Sequence, residues 1–438
     1  MKKVVVFGAG LVARPLVRYL LDHGFFVTVA SRTVSKAQKL IDGHPQGRAE
    51  TLDADNESAI KSFVADADLA VSLLPAPKHP TVAKACLELG KHMVTTSYVS
   101  PQMMELDNEA RDNDLLLLNE IGVDPGIDHK SAMEVIHAEE KKGATLVGFN
   151  SWCGGLPAPE ANDNPFGYKF SWSPRGVLVA ARNSARYLKD GKVVDVEPKN
   201  LFGDPAIVEI PGVGTFEGYP NRDSVSYMDT YGFDPKKVKN IFRGTLRNLG
   251  HCKLYTQIID LGLIEAEPEH DTAGLSHAQF MEKFLGGDPQ KIIPEKLGVA
   301  ADDSPLTALD YIGMFSDEPI GQDKISTLDL MANRMAATLT YKDGERDMLL
   351  MRHDLTFEYK AGHKECVTAI MVDYGIAHGD SSMARTVSLP AAIGARMILE
   401  NKISSRGVHI PIEPAIYEPI LKELKNLGIG FTQTRKKL

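Results

Sequence analysis

The first residues that could do chemistry stand at the start of the chain. Residues 4–7 (Val-Val-Val-Phe) are an apolar, β-branched run suited to a strand buried on both faces. Gly8-Ala9-Gly10 turns out of it, and Leu11, Val12, Leu16 and Leu20 carry helical spacing from Leu11 onward. Such a strand, turn and helix cradle a pyrophosphate. Gly8 permits the tight turn, Gly10 lets the phosphate reach the backbone, and the helix N-terminus offers free N–H groups with partial positive charge. Ala13 stands where a third glycine is commoner. After a second buried strand at 25–30, the ribose-reading position holds Ser31-Arg32-Thr33 instead of an acid. A guanidinium with two hydroxyls suits a 2′-phosphate, which a carboxylate would repel, so NADP is expected over NAD. The bland alternative is that Arg32 is a solvated loop cation. Two other readings compete. Lys2 and Lys3 before an apolar stretch resemble a secretory leader, but two glycines interrupt the run and Arg14-Pro15 occupies the cleavage position. A buried strand and turn without a ligand is the other, and the Ser31-Arg32-Thr33 segment argues against it.

Elements that would position these groups follow in alternation. Helices are expected from 34, at 57–65, 79–89 and 103–113, and strands at 49–52, 69–74, 92–96 and 115–119. Six strands and five helices in about 120 residues complete a Rossmann-like domain. Loops after strand C-termini face the cofactor, which makes Asp53 and Ala54 adenine-side candidates and Leu74 a nicotinamide-side candidate. Asp128 is expected to cap a helix at 129–141. A strand at 145–152 then leads into a Gly/Pro-rich loop from Cys153 to about Lys169. Strands are expected at 192–196, 207–210 and 215–219, a mainly helical stretch at 254–337, a hairpin at 345–373, and helices at 383–399 and 413–426. The expected fold class is α/β with three parts. A Rossmann-like NADP-binding domain covers 1–126, with 384–438 packing back on it. An α/β substrate-binding and dimerisation domain covers 127–253 and 345–383, and a helical subdomain covers 254–344.

Composition bounds the class. The 438 residues are 43% apolar and 24% charged, as in a globular protein. The net charge of −9 without a long basic run argues against nucleic acid as a partner. No apolar segment reaches about eighteen residues, so no membrane span is expected. Cys86, Cys153, Cys252 and Cys366 lack metal-ligand spacing and read as reduced thiols of a cytoplasmic protein.

Longer motifs carry a resemblance. They are Thr95-Thr96-Ser97-Tyr98-Val99, residues 119–129 (Asn-Glu-Ile-Gly-Val-Asp-Pro-Gly-Ile-Asp-His), 153–159 (Cys-Gly-Gly-Leu-Pro-Ala-Pro), 168–173 (Tyr-Lys-Phe-Ser-Trp-Ser), 219–224 (Tyr-Pro-Asn-Arg-Asp-Ser), 243–247 (Arg-Gly-Thr-Leu-Arg), 344–348 and 405–408. With these the chain resembles the glutamate-forming saccharopine dehydrogenases over nearly its whole length, least so at 265–335. The resemblance implies oxidation of saccharopine with NADP or NAD to L-glutamate and 2-aminoadipate 6-semialdehyde, or the reverse, in lysine metabolism. Hydride transfer passes through an imine that water hydrolyses, without a metal. Relatives that use NAD tend to lack the arginine at Arg32, which again favours NADP.

The resemblance carries cofactor contacts onto Gly10, Leu11, Val12, Ala13, Ser31, Arg32, Thr33, Asp53, Ala54, Leu74, Thr96, Ser97, Val123, Asp124, Pro125 and Ser173. It carries substrate contacts onto Ser97, Tyr98, Asp124, Arg222, Gly244, Thr245 and Leu246. Guanidinium binds carboxylate bidentately, so Arg222, Arg243 and Arg247 suit a substrate with three carboxylates. The alternative is structural ion pairing, with Asp223 holding Arg222. For proton transfer Asp124, Tyr98 and Cys153 all stay open. Asp124 ends a strand on the cofactor side, where shielding from water could raise its pKa; its plain role is a turn or cap. Tyr98 could equally be a packed aromatic and Cys153 an inert small hydrophobe. Asp124, Asp128 and His129 could suggest a metal site, but a strand-end aspartate plus a helix cap accounts for them better. A small-molecule enzyme working as a homodimer is expected. The alternatives are a related carboxylated-amine dehydrogenase of opine or carboxynorspermidine type, and a non-catalytic NADP-binding protein.

Overall fold

The structure is a computed structural model and describes residues 1–438. It divides into two compact units, Met1–Thr145 with Met371–Gln433, and Leu146–Ile370 with Thr434–Leu438.

The first unit is built on seven parallel strands. Lys3–Phe7 lies at the centre, and Val4 to Phe7 are at most 1% exposed because helices cover both faces of a parallel sheet. On one side follow Phe26–Ser31 and Gly47–Thr51; on the other Leu69–Ser72, His92–Thr95, Leu116–Leu118 and Gly407–His409. Strand order reverses beside Lys3–Phe7, and ligands of doubly wound sheets bind at such a point, beyond the strands' carboxyl ends. The seventh strand comes from the C-terminal segment, where only helices were expected. Its Val408 joins the apolar core of this unit, and the Val408 N–H donates to Asp107. Helices Ser382–Leu399 and Pro414–Asn426 belong to the same unit. They are tied to the first helix by Arg396, which donates to Tyr19 Oη at 2.8 Å and pairs with Glu423.

Local chemistry moves several boundaries. The first helix is Arg14–Asp22, not a helix from Leu11, because Pro15 presets its opening turn. The expected helix at 103–113 is two short ones, Pro101–Met104 and Asp107–Asp112. Asp128 is not a cap: the Ile127–Glu140 helix begins before it, and its carboxylate accepts the Gly126 N–H from inside the first turn.

The second unit carries a mixed sheet with Ala206–Ile210, Gly214–Pro220, Asn240–Arg247, Ala144–Pro157, Asp347–Tyr359 and Lys364–Tyr374 in that order. The hairpin Ala185–Lys189 and Lys192–Val196 joins it. The expected loop at 153–157 is strand. Its backbone pairs in parallel with Asn240–Arg247, setting Trp152 beside Gly244 and Cys153 beside Thr245. The glycines serve close approach, since a Cβ on Gly154 would lie 2.7 Å from the Leu246 carbonyl oxygen. Five helices of this unit, His251–Asp260, His277–Leu285, Pro289–Leu297, Leu306–Tyr311 and Thr327–Thr338, fill the helical stretch. A small ladder, Glu269–Asp271 with Lys324–Ser326, interrupts them. No helix of the chain is long and apolar enough to cross a membrane.

Candidate active site

In the first unit the candidate cofactor residues follow the carboxyl ends of neighbouring parallel strands. Gly8 has φ +108°, and a Cβ there would sit 3.0 Å from the Leu73 carbonyl oxygen, so only glycine makes this turn. Gly10 has open space where a side chain would be. The N–H groups of Gly10, Leu11 and Val12 take no partner within the chain, which fits them to an anion. The Ala13 N–H is already given to the Gly10 carbonyl, and the residue is fully buried. Its part in the cradle is therefore tight packing.

Ser31 ends its strand, and Arg32 and Thr33 are exposed beyond it. Arg32 forms no ion pair or hydrogen bond within the chain, so its guanidinium is available for a phosphate. Removing it (Arg32→Ala) is expected to raise KM for NADP about 10- to 100-fold and leave KM for NAD nearly unchanged. Steady-state kinetics with both dinucleotides check this; equal effects on the two would remove the phosphate role. Asp53 is exposed and its carboxylate accepts the Asp55 N–H at 3.0 Å, a turn-forming role. The Leu74 side chain packs against the core of the unit.

The loops after His92–Thr95 and Leu116–Leu118 are laced together. Tyr98 Oη donates to Asp124 Oδ1 at 3.2 Å, and both residues are half-buried. Glu120, almost buried and at φ +55°, accepts the Val99 N–H on one oxygen (2.8 Å) and meets His129 Nε2 on the other (2.7 Å). The Glu120 N–H donates to the Ser97 carbonyl at 3.1 Å. One buried carboxylate thus fastens the Tyr98 loop to the Asp124 loop. Within the latter, Gly122 N–H donates to Pro125 O at 3.0 Å, and Asp128 N–H to Val123 O at 3.0 Å. Gly126 has φ +145°, and any Cβ would overlap the Gly122 backbone. Gly126→Ala is expected to cost at least about 3 kcal/mol, read as the midpoint of denaturant unfolding. An unchanged midpoint would show that the loop can relax.

Four residues of this region were not expected from the sequence in these roles. Glu120 and His129 lie inside a quoted motif, and an acid nine residues before a histidine was the available signal. The others are His79 and Lys130. Lys130 is fully buried, its Nζ has no hydrogen-bond partner, and burial lowers its pKa to about 7 against the opposing pull of Asp128.

The second unit holds the remaining candidates. Gly244, Thr245 and Leu246 lie mid-strand, paired with Pro220, Tyr219 and Gly218 on one side. Cys153 adjoins Thr245 on the other and is half-buried. Arg222 is exposed at φ +52°, in a turn that the Arg186 N–H fixes by donating to its carbonyl (2.9 Å). The Asp223 carboxylate accepts the Val225 and Ser226 N–H groups. Arg222 and Arg186 line the same cavity of about 370 Å³. Arg243 and Arg247 were expected to meet substrate carboxylates. Both are buried, Arg243 over the Tyr227 ring at 4.3 Å and Arg247 over Tyr168 at 5.0 Å. Ser173 is the N-cap of helix Pro174–Ala180, accepting the Gly176 N–H at 3.2 Å.

Comparison with known proteins decides the family. The saccharopine dehydrogenase NADP binding domain matches residues 4–118, and the saccharopine dehydrogenase C-terminal domain matches 122–429. The chain belongs to the saccharopine dehydrogenase family. It is 38% identical over 437 residues to a saccharopine dehydrogenase [NADP(+), L-glutamate-forming] of Pyricularia oryzae, covering 97% of this chain and 96% of that one. The apo histidine-tagged saccharopine dehydrogenase (L-Glu forming) of Saccharomyces cerevisiae superposes with a TM-score of 0.89 at 36% identity, over 100% of both chains. A mitochondrial alpha-aminoadipic semialdehyde synthase of Mus musculus is 38% identical over 100% of this chain but only 48% of its own length. The cofactor is NADP, and the α/β, Rossmann-like class stands with the family. The free N–H groups beyond Gly8 and the unpaired Arg32 fit that dinucleotide on the geometry alone.

Proposed function

We propose that this chain interconverts saccharopine, NADP and water with L-glutamate, 2-aminoadipate 6-semialdehyde and NADPH, as an oxidoreductase of lysine metabolism acting on a C–N bond. The observation that carries this beyond family membership is the Tyr98–Asp124 hydrogen bond on the carboxyl-end edge of the dinucleotide-binding sheet.

NADP, when bound, supplies the hydride acceptor. The protein's own residues do the rest. Gly10, Leu11 and Val12 hold the pyrophosphate by their N–H groups, and Arg32 with Ser31 and Thr33 holds the 2′-phosphate. Asp124 accepts a proton at Oδ1 or Oδ2 as the amine is oxidised, returns it to the imine nitrogen, and then takes a proton from the attacking water and passes it to the departing glutamate nitrogen. Tyr98 orients that carboxylate through its hydroxyl. Arg222 takes a substrate carboxylate, and the 244–246 segment with Cys153 lines the substrate. We further place the enzyme in the cytoplasm, consistent with four free thiols. We take it to be a homodimer, consistent with exposed Val193 and Ile207 on peripheral strands of the second unit.

The test runs the reaction toward synthesis. Purified protein with L-glutamate, 2-aminoadipate 6-semialdehyde and NADPH should consume NADPH and yield saccharopine by mass spectrometry. Consumption only with a carboxylated polyamine precursor would replace the substrate. No consumption despite tight NADPH binding would favour a non-catalytic role.

A further inference from the structure

His79 opens the helix His79–Glu88 and is 2% exposed. Its ring lies across the ends of two adjacent strands of the first unit, paired there through Ser72 and Thr95. Nδ1 lies 2.9 Å from Ser72 Oγ; Nε2 lies 2.8 Å from Ser97 Oγ and 3.2 Å from Thr95 Oγ1. Burial pushes the imidazole down to about 4, so it is neutral near pH 7, with one nitrogen donating and one accepting. Ser72 is wholly buried, and its hydroxyl has no partner except Nδ1. Assigning Nδ1 as the acceptor of the Ser72 hydroxyl, whose one partner it is, puts the ring proton on Nε2. Nε2–H then donates to Ser97 Oγ. The Ser97 backbone is fixed as well, its N–H on Thr95 Oγ1 at 3.4 Å and its carbonyl on the Glu120 N–H at 3.1 Å. The hydroxyl proton of Ser97 is left unspent, as is that of Thr95, whose Oγ1 shares the same Nε2–H.

We propose that His79 is a positioning residue: with Ser72 it fixes the Ser97 hydroxyl as a hydrogen-bond donor toward an acceptor oxygen of the bound ligand. That oxygen belongs to a substrate carboxylate or to the dinucleotide. The inference rests on the function proposed above and on the ligand contact that the family resemblance carries onto Ser97.

The experiment compares His79→Asn, His79→Gln, Ser97→Ala and the double variant His79→Asn/Ser97→Ala. It reads kcat and KM for saccharopine, the Kd of NADPH by its fluorescence, and the melting temperature. His79→Asn keeps a group near Nδ1 but cannot reach Ser97. It should raise KM or Kd about five- to tenfold with kcat changed less than about twofold. His79→Gln, whose amide N–H reaches the Nε2 position, should restore the value to within about twofold, even if both His79 variants melt lower. Ser97→Ala should match His79→Asn, and the double variant should be no worse than either. A rise confined to saccharopine KM assigns the acceptor to substrate; a rise in NADPH Kd assigns it to the dinucleotide. An effect of Ser97→Ala without one of His79→Asn overturns the relay alone, as do additive effects. A silent Ser97→Ala overturns the placement of Ser97, and the relay with it.

Discussion

Asp124→Asn is expected to lower kcat for saccharopine oxidation about 10²- to 10⁴-fold with little change in NADPH affinity, the usual loss when a positioned acid–base group is removed. The amide keeps the shape and can still accept from Tyr98, so the loss reads proton transfer, not folding. Tyr98→Phe should cost less, about tenfold, because it removes the 3.2 Å bond that orients the carboxylate and leaves the carboxylate itself. Stopped-flow kinetics at constant NADP saturation separate the two. If Cys153→Ala abolished turnover while Asp124→Asn left most of it, the proton-transfer role would pass to the second unit.

The second large effect is on stability. Lys130→Met should stabilise the protein, most strongly at or below neutral pH. In the folded chain burial lowers the Lys130 ammonium from 10.5 to about 7, and its Nζ has no partner. The unfolded chain keeps its proton up to its ordinary value. Between about pH 7 and 10.5 the unfolded state therefore holds more protons, and the stability of the parent protein rises with pH across that window. Below pH 7 the folded protein bears the full cost of a buried cation. The drop from 10.5 to about 7 corresponds to at most about 5 kcal/mol gained by methionine there, a gain that shrinks as the pH approaches 10.5. Urea unfolding at about pH 6.5 and about pH 10 checks this. A gain equal at both values would show that only packing, not charge, is relieved.

Much of the first unit is legible in the sequence because its signals are local. Val4 to Phe7 and Gly8 carry strand and turn in consecutive residues, and Arg32 sits where the end of the next strand must be. What escaped depends on partners distant in sequence. The Gly407–His409 strand is too short to show a period and exists because Leu116–Leu118 offers a free edge. Cys153 to Pro157 has loop composition, yet a neighbouring strand pairs its backbone, and the glycines answer the closeness of Leu246. Arg243 and Arg247 look like anion-binding cations in one dimension. Only the fold shows that both are buried with tyrosine rings against them. His79, Glu120 and Lys130 are single polar residues in ordinary surroundings, and their weight comes from burial, which one sequence does not display. The candidate site was readable as a set of strand-end residues, and its internal wiring was not.

The most direct test is to give the purified protein saccharopine and follow nicotinamide absorbance with NADP and NAD side by side. The account predicts reduction of NADP, with kcat/KM at least about tenfold above that with NAD, and formation of L-glutamate. Reduction of NAD at equal or higher efficiency would keep the reaction and contradict the phosphate role of Arg32. No reduction of either, by protein that binds NADPH tightly, would contradict the central claim.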